Sequence, residues 1–305
     1  LDFLRVTEQH LARKRFENPR LEAELLLGYV LRLDRVGLYL QYDRPLLPDE
    51  IGKFRSVLRH RLNHEPLQWI LGEMEFFGIR LSMKSGVFIP RPETELLVEV
   101  TNRYIKEVYE QRDQGSSPRL SEVGNKRGVS FRILDIGTGS GAIALAIASS
   151  NPGVTVNGCD VSSSALELAR ENAQKLSLAD RVAFERWNVI DYRIPEFFEV
   201  PYRWITMNPP YVRSDDWNSL PPEVKAEPRG ALDGGDDGLR FYRRLVELLP
   251  DILVKSGGVS MEIGIGQTDA VKGLFEPLFR KITCTPDYSG IDRVICGLEF
   301  RGDEL

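Results

Sequence analysis

Three stretches of this chain combine residue types that do chemistry. Asp135-Ile136-Gly137-Thr138-Gly139-Ser140-Gly141 follows a strand-like run and opens a helix-like one. Glycines there let the backbone turn tightly and let a ligand approach without meeting a Cβ, while the N-terminus of the helix offers free N–H groups. Such a turn serves dinucleotide, flavin and S-adenosylmethionine sites alike. This one lacks the Gly-Lys-Ser/Thr ending of a phosphate-binding loop and the glycine spacing of the dinucleotide fingerprint. Asp160 ends the next strand, Val156-Asn157-Gly158-Cys159-Asp160, 25 residues after Asp135. A carboxylate there can accept hydrogen bonds from both hydroxyls of a ribose, or can cap the helix that begins near Ser162. Asn208-Pro209-Pro210-Tyr211 follows the run Trp204-Ile205-Thr206-Met207. Two prolines fix the backbone and remove N–H donors, leaving Asn208 and local carbonyls as a rigid acceptor array for a planar amide or amine nitrogen, with Tyr211 as a flat face to stack it. Taken alone, the tetrapeptide also reads as a stiff turn capped by an aromatic.

The elements that must position these residues alternate regularly. Strands are expected at 131–135, 154–160, 182–186, 203–207 and 258–263, with a closing strand at 294–300; helices are expected at 142–149, 163–176, 239–249 and 268–275. Alternation of this kind means a mostly parallel sheet with helices on both faces, whose ligands sit beyond the carboxyl ends of the strands. Upstream, residues 1–66 read as a small helical domain. Asn18-Pro19 starts one helix, and Pro48-Asp49-Glu50 starts another with Ile51, Phe54, Val57, Leu58 and Leu62 inward. Lys53, Arg55, Arg59 and Arg61 fall largely outward, as a solvated face or a docking face for a partner protein. Residues 67–90 read as a hairpin-like linker around Gly78, and 91–305 as the catalytic domain, with a helix from Pro92 to about Tyr109 and a polar loop at 111–129.

Composition narrows the classes. The chain has 305 residues, 40 Lys plus Arg against 45 Asp plus Glu, and a net charge of −5, which does not suit generic nucleic-acid binding. Its three cysteines, Cys159, Cys284 and Cys296, are far apart and fit neither a disulfide framework nor a paired zinc site, so a reducing compartment is expected. The three histidines, His10, His60 and His64, leave the C-terminal two-thirds without a catalytic histidine or a histidine-bound metal. No apolar run approaches a membrane span, and the start shows no secretory apolar region. The chain opens on Leu1, which leaves room for an upstream piece.

The glycine turn, Asp160 and Asn208-Pro209-Pro210-Tyr211 together resemble the class I S-adenosylmethionine-dependent methyltransferases that modify planar nitrogens. Phe88-Ile89-Pro90-Arg91-Pro92-Glu93-Thr94-Glu95 narrows the resemblance to the protein-glutamine methyltransferases of peptide chain release factors, the PrmC or HemK family. Downstream blocks are similar as well: Glu227-Pro228, Asp236-Asp237-Gly238-Leu239, Glu262-Ile263-Gly264 with Gln267, and Asp292-Arg293-Val294. The resemblance implies a Rossmann-like methyltransferase domain plus an N-terminal helical substrate-recognition domain. It implies methyl transfer from S-adenosyl-L-methionine to the glutamine side-chain amide in the Gly-Gly-Gln motif of class 1 release factors. Residue by residue, it gives Gly137, Thr138, Gly139, Ser140 and Gly141 to the methionine part of the cofactor and Asp160 to its ribose. Asn208, Pro209, Pro210 and Tyr211 then hold the glutamine. Near the adenine, where the family often has an acidic residue, this chain reads Trp187-Asn188-Val189, and Asn188 is expected to accept from the adenine amino group through its carbonyl.

The chemistry expected is alignment of nitrogen, methyl and sulfur without a general base, a triad or a metal. Arg91, Glu93 and Glu95 either cap the following helix or close over the cofactor and shape the glutamine channel; Glu262 and Arg293 are expected to be structural. The partner implied is a release factor, with no direct nucleic acid and no membrane, the protein acting as a monomer in a bacterial cytoplasm or, alternatively, a mitochondrial matrix. Two related activities stay open: methylation of a ribosomal-protein glutamine, and methylation of an exocyclic base amine delivered by base flipping. A partner-binding protein that merely keeps the fold is a third reading, opposed by the intact Asn208 and glycine turn.

Overall fold

The computed structural model describes residues 2–41, 43–113, 131–191, 194–198 and 201–302. In chain order the elements begin with helices α1 (Asp2–Arg13), α2 (Pro19–Leu31), α3 (Arg35–Leu40), α4 (Pro48–Leu62) and α5 (Leu67–Leu71), then strands β1 (Glu73–Phe76) and β2 (Ile79–Ser82). Next come α6 (Glu95–Asp113), β3 (Phe131–Ile136), α7 (Ala142–Ser150), β4 (Val154–Asp160), α8 (Ser163–Lys175), β5 (Val182–Arg186) and β6 (Tyr202–Met207). The chain finishes with a short α9 (Pro222–Lys225), α10 (Arg240–Ile252), β7 (Leu253–Glu262), α11 (Thr268–Phe275), β8 (Phe279–Pro286) and β9 (Asp292–Phe300). The helix after Pro92 runs on through Asp113, past the expected loop start, and the rest of that polar stretch lies outside the described residues.

Two compact units divide the chain. The smaller comprises Leu1–Met74, Met83–Ser85 and Pro221–Ala226. Its core gathers Leu26, Leu27, Leu38 and Phe54 from α2, α3 and α4. Arg61 departs from the expected outward face. It is buried, forks onto Glu22 at 2.6 and 2.9 Å, pairs with Glu223 at 2.7 Å, and lies 4.1 Å over the Phe16 ring. A planar guanidinium can satisfy two carboxylates and an aromatic face at once, which helical spacing alone does not reveal. Glu24 is likewise buried, where the charged donors Arg20 and Arg35 and the Tyr39 hydroxyl satisfy it.

The larger unit comprises Glu75–Ser82, Gly86–Leu220 and Glu227–Leu305. Its seven-stranded sheet has the order β5-β4-β3-β6-β7-β9-β8. The first five strands in that order are parallel, and β9 runs antiparallel to both β7 and β8. Strand β8 lies beyond the sequence expectation: Lys281, Thr283 and Thr285 dilute its apolar alternation, as suits an edge strand. Alternation along the inner strands sorts side chains to two faces. Leu134, Ile136, Ile205, Met207, Val259 and Met261 join Tyr242, Leu245, Val271 and Phe275 of α10 and α11 in one core. On the other face Trp204 stacks on Tyr104 of α6 at 3.9 Å between ring centroids and donates from Nε1 to Ser260 Oγ at 3.0 Å. Ser260 in turn shares a 2.7 Å hydrogen bond with Thr101 of α6.

Two features of this packing are exacting. A Cβ built on Gly258 of β7 falls 1.9 Å from the Trp204 ring, so the strand must carry glycine for the indole to lie flat. At the carboxyl end of β3, Asp135 is wholly buried and accepts from Thr206 Oγ1 of β6 at 2.8 Å and from Thr138 Oγ1 at 2.7 Å. Burial raises its carboxyl to about 6, against the lowering pull of the two hydroxyls. Because the native state then holds the proton more tightly than the unfolded chain, this group favours folding most at low pH and loses that contribution as pH rises from about 4 to about 6.

Gly258→Ala is expected to lower the unfolding free energy by roughly 2–3 kcal/mol through overpacking against Trp204. Urea denaturation reads this directly, and coincident curves would show that the indole yields freely. Comparison of wild type with Asp135→Asn by denaturant unfolding between pH 4 and 6 should show wild type losing on the order of 3 kcal/mol relative to the variant. Parallel pH profiles would mean that Asp135 titrates normally.

Candidate functional site

From β3 the chain proceeds to β4 and β5 on one side and then returns to β6 and β7 on the other, so the order reverses between β3 and β6. In open sheets of this kind the crevice beyond the carboxyl ends at such a reversal receives ligands. Here a cleft of about 760 Å³ opens, lined by the glycine turn after β3, Asp160 after β4, Trp187–Ile190 after β5 and Asn208–Pro210 after β6. Its volume lies in the range of small-molecule sites.

The turn is built by backbone geometry. The N–H groups of Gly137 and Thr138 both donate to the Cys159 carbonyl at 2.9 Å, pinning the turn to the end of β4. Gly139 has a φ of +56°, and a Cβ there would meet nothing within 4 Å, so the space above it is free for a ligand. Gly141 does not line the cleft. A Cβ on it would lie 3.0 Å from Leu145 and 3.1 Å from Phe184, which places its role in seating α7 on its neighbours. Asp160 accepts from Gly139 N–H at 3.0 Å and from Ser162 N–H at 2.9 Å, and burial raises its carboxyl above the usual range. The cap of α8 is the Ser162 hydroxyl, which accepts from Ala165 N–H at 3.3 Å. The Val161 N–H also bears on this carboxylate, which has about four acceptor positions, so acceptor capacity remains on Asp160.

Two residues of the lining, Ser140 and Trp187, each carry a buried polar atom, Oγ and Nε1, with no hydrogen-bond partner among the described residues. Unsatisfied buried polar atoms of this kind call for a partner that a ligand can supply. Together with the spare acceptors of Asp160 and the open space over Gly139, they fit a ligand that carries a sugar diol and polar ends. Asn188 also lines the cleft, but its side chain is engaged locally: Oδ1 accepts from Ile190 N–H at 3.2 Å and Nδ2 donates to Asp191 at 3.3 Å. One lone pair of its carbonyl stays available.

On the opposite wall, Asn208 donates from Nδ2 to Thr94 Oγ1 at 3.2 Å, and Thr94 donates to Glu262 Oε2 at 2.6 Å. Asn208 Oδ1 has no hydrogen-bond partner among the described residues. Pro209 and Pro210 line the cleft beside it. Tyr211 is turned away from the lining. Its hydroxyl donates to Glu262 Oε1 at 3.2 Å, its carbonyl accepts from Gln267 Nε2 at 3.1 Å, and Gly234 leaves room for its backbone, since a Cβ there would come within 2.8 Å of Tyr211 Cα. Glu262 is buried, which pushes its carboxyl up while the Thr94 and Tyr211 hydroxyls pull it down.

The segment before α6 is tied in by other means than helix capping. Arg91 pairs with buried Glu227 and donates to the Ile89 carbonyl at 2.9 Å, Glu227 also accepts from Ile89 N–H at 2.9 Å, and Glu95 accepts from Phe77 N–H at 2.8 Å. Phe88, Pro90 and Thr94 of this segment line the cleft. Thr94, Glu227 and Gln267 are the site-building residues to which sequence reading attaches no role. The one local signal is a carboxylate, Glu262, at the carboxyl end of β7 after Val259 and Met261. Among the described residues no cluster of three or more histidine, cysteine, aspartate or glutamate side chains is placed to hold a metal ion, and no helix is long and apolar enough to cross a membrane.

Comparison with known proteins agrees with this geometry. Residues 2–72 match the family model described as PrmC N-terminal domain, and residues 108–220 match the one described as methyltransferase small domain. A release factor glutamine methyltransferase of Geobacter sulfurreducens is 39% identical over 293 residues, covering 95% of this chain and 93% of that protein. Another of the same name from Chlorobaculum tepidum is 35% identical, covering 96% of this chain and 95% of that protein. Among solved structures, the human Mettl16 catalytic domain in complex with an RNA hairpin from the MAT2A 3′ untranslated region aligns with a TM-score of 0.53 and 15% identity, over 73% of this chain and 77% of that one. At that identity the likeness concerns the fold. Matched over nearly its whole length to relatives of one name, the chain belongs to the release factor glutamine methyltransferase family.

Proposed function

We propose that the chain transfers a methyl group from S-adenosyl-L-methionine to the side-chain amide nitrogen of the glutamine in the Gly-Gly-Gln motif of peptide chain release factors. The observation that carries this reading is the unpartnered carboxamide oxygen of Asn208, held on a proline-stiffened rim of the switch-point cleft. The cofactor supplies a methyl group made electrophilic by its sulfonium; the rest falls to this chain's residues. Gly137 to Ser140 would cradle the methionine portion, Asp160 would accept from the ribose hydroxyls with its remaining acceptor capacity, and Trp187 and Asn188 would face the adenine. Gly141 supports the turn from behind.

An amide nitrogen is a poor nucleophile because its lone pair is delocalised into the carbonyl. Acceptance of its N–H groups by Asn208 Oδ1 and the Pro209 carbonyl aims the nitrogen and holds electron density on it, a contribution of positioning and electrostatics. Pro210 keeps that backbone rigid, and Tyr211 braces it from beneath. The product cation releases its proton readily, so no base is required before transfer.

The helical unit exposes Val36 and Leu40, an apolar surface suited to recognising a protein substrate. Release factors act in the bacterial cytoplasm, where this reading places the enzyme. The net charge of −5 opposes a nucleic-acid substrate.

Incubation with cofactor and a release factor should add one methyl mass, mapped by peptide mass spectrometry to the Gly-Gly-Gln glutamine. Methylation confined to a ribosomal protein or to RNA would redirect the assignment. Asn208→Ala should lower turnover by roughly 100-fold with cofactor affinity little changed. Asp160→Ala should do the reverse, raising the cofactor dissociation constant on the order of tenfold or more.

A further inference from the structure

An asparagine carboxamide has two nearly isosteric ends, one that accepts hydrogen bonds and one that donates them. Only the accepting end suits an incoming glutamine N–H; the donating end would set N–H against N–H. Something must therefore choose which end of Asn208 faces the cleft. The hydroxyl of Thr94 lies between Asn208 Nδ2, at 3.2 Å, and Glu262 Oε2, at 2.6 Å. A hydroxyl carries one hydrogen. With that hydrogen given to the Glu262 carboxylate, Thr94 Oγ1 is left as an acceptor, and only the nitrogen end of Asn208 can pair with it. The second Glu262 oxygen accepts from the Tyr211 hydroxyl at 3.2 Å, so the carboxylate acts as acceptor on both sides. Glu262 and Thr94 are both almost wholly buried, which keeps water from competing for these bonds.

We propose that Thr94, with its hydroxyl hydrogen committed to Glu262, is a positioning residue that fixes the Asn208 carboxamide with its oxygen toward the substrate amide. The proposal rests on the reading of Asn208 as the group that receives the glutamine. It assigns work to the Pro92-Glu93-Thr94 turn beyond starting α6: the turn sets the polarity of the rim across the cleft.

Thr94→Val removes the hydroxyl while keeping the branched shape, and Thr94→Ser keeps the hydroxyl. Thr94→Val is expected to lower kcat by roughly 10- to 100-fold with the cofactor dissociation constant unchanged, and Thr94→Ser to recover most of the lost rate. Added to Asn208→Ala, Thr94→Val should cost no further turnover, because the group it orients is gone. A second readout needs neither cofactor nor substrate. In ¹⁵N-labelled, ligand-free protein, the Asn208 side-chain NH₂ signals, identified by their loss in Asn208→Ala, should shift and exchange faster with water in Thr94→Val but not in Thr94→Ser. Additive losses in the double variant, or Asn208 signals unmoved by Thr94→Val, would overturn the proposal. Where Thr94→Val does not fold, Thr94→Ala deletes the same hydroxyl and is held to the same spectrum. Failure of the wild-type enzyme to methylate the glutamine would instead remove the functional reading, while the spectra still decide the orienting bond.

Discussion

Asp135 accepts a hydroxyl on each of its two oxygens, one from Thr138 in the glycine turn and one from Thr206 two residues before Asn208. The turn and the acceptor rim belong to different strands, and the parallel pairing of β3 with β6 brings them side by side. Strand pairing fixes the axial register, but it does not fix how the loops leave the sheet. A buried acid that the turn and β6 both satisfy ties the turn to that strand. Leaving either hydroxyl bond unmade would strand a polar group away from water, at a cost of about 1–3 kcal/mol, so the glycine turn is held against β6. The spacing between the glycine turn and Asn208 depends on that bracing.

The carboxylates of the larger unit divide into two kinds. Asp237 and Asp287 sit near the surface with arginine partners, Arg243 and Arg293, which hold them below the usual range. Asp135, Asp160 and Glu262 are raised by burial and are satisfied by hydroxyls or backbone N–H groups. Asp160, of the second kind, lines the cleft, and so does Asp233, which the Ser214 hydroxyl, the Gly235 N–H and Arg229 hold below the usual range.

What the sequence makes legible is what is local. The glycines of the turn, the acid at the end of β4 and the double proline each act through their own backbone, so their types and spacing suffice to place them. The parallel sheet follows from alternating apolar runs in the same way. The supporting contacts are of another order. Thr94 reaches Glu262 across 168 positions and Asn208 across 114, and Arg91 reaches Glu227 across 136. No periodicity carries such information, and the residues concerned look like ordinary helix starts or surface charges when read in sequence. Arg61 is the clearest case: helical spacing puts it beside exposed basic residues, and only the arrival of Glu22 and Glu223 makes its burial tolerable. Tyr211 shows the same effect in reverse, since an aromatic beside a ligand rim reads as a stacking platform until Glu262 and Gln267 are seen to claim it.

The two borders of the large sheet carry a consequence for recognition. At one border β5 is a five-residue strand ending in Glu185 and Arg186; at the other β8 bears Arg280 and Lys281 and stops at Pro286. Brevity, charge and proline all discourage a further strand from docking. An extended polypeptide therefore finds no template along either margin for β-augmentation.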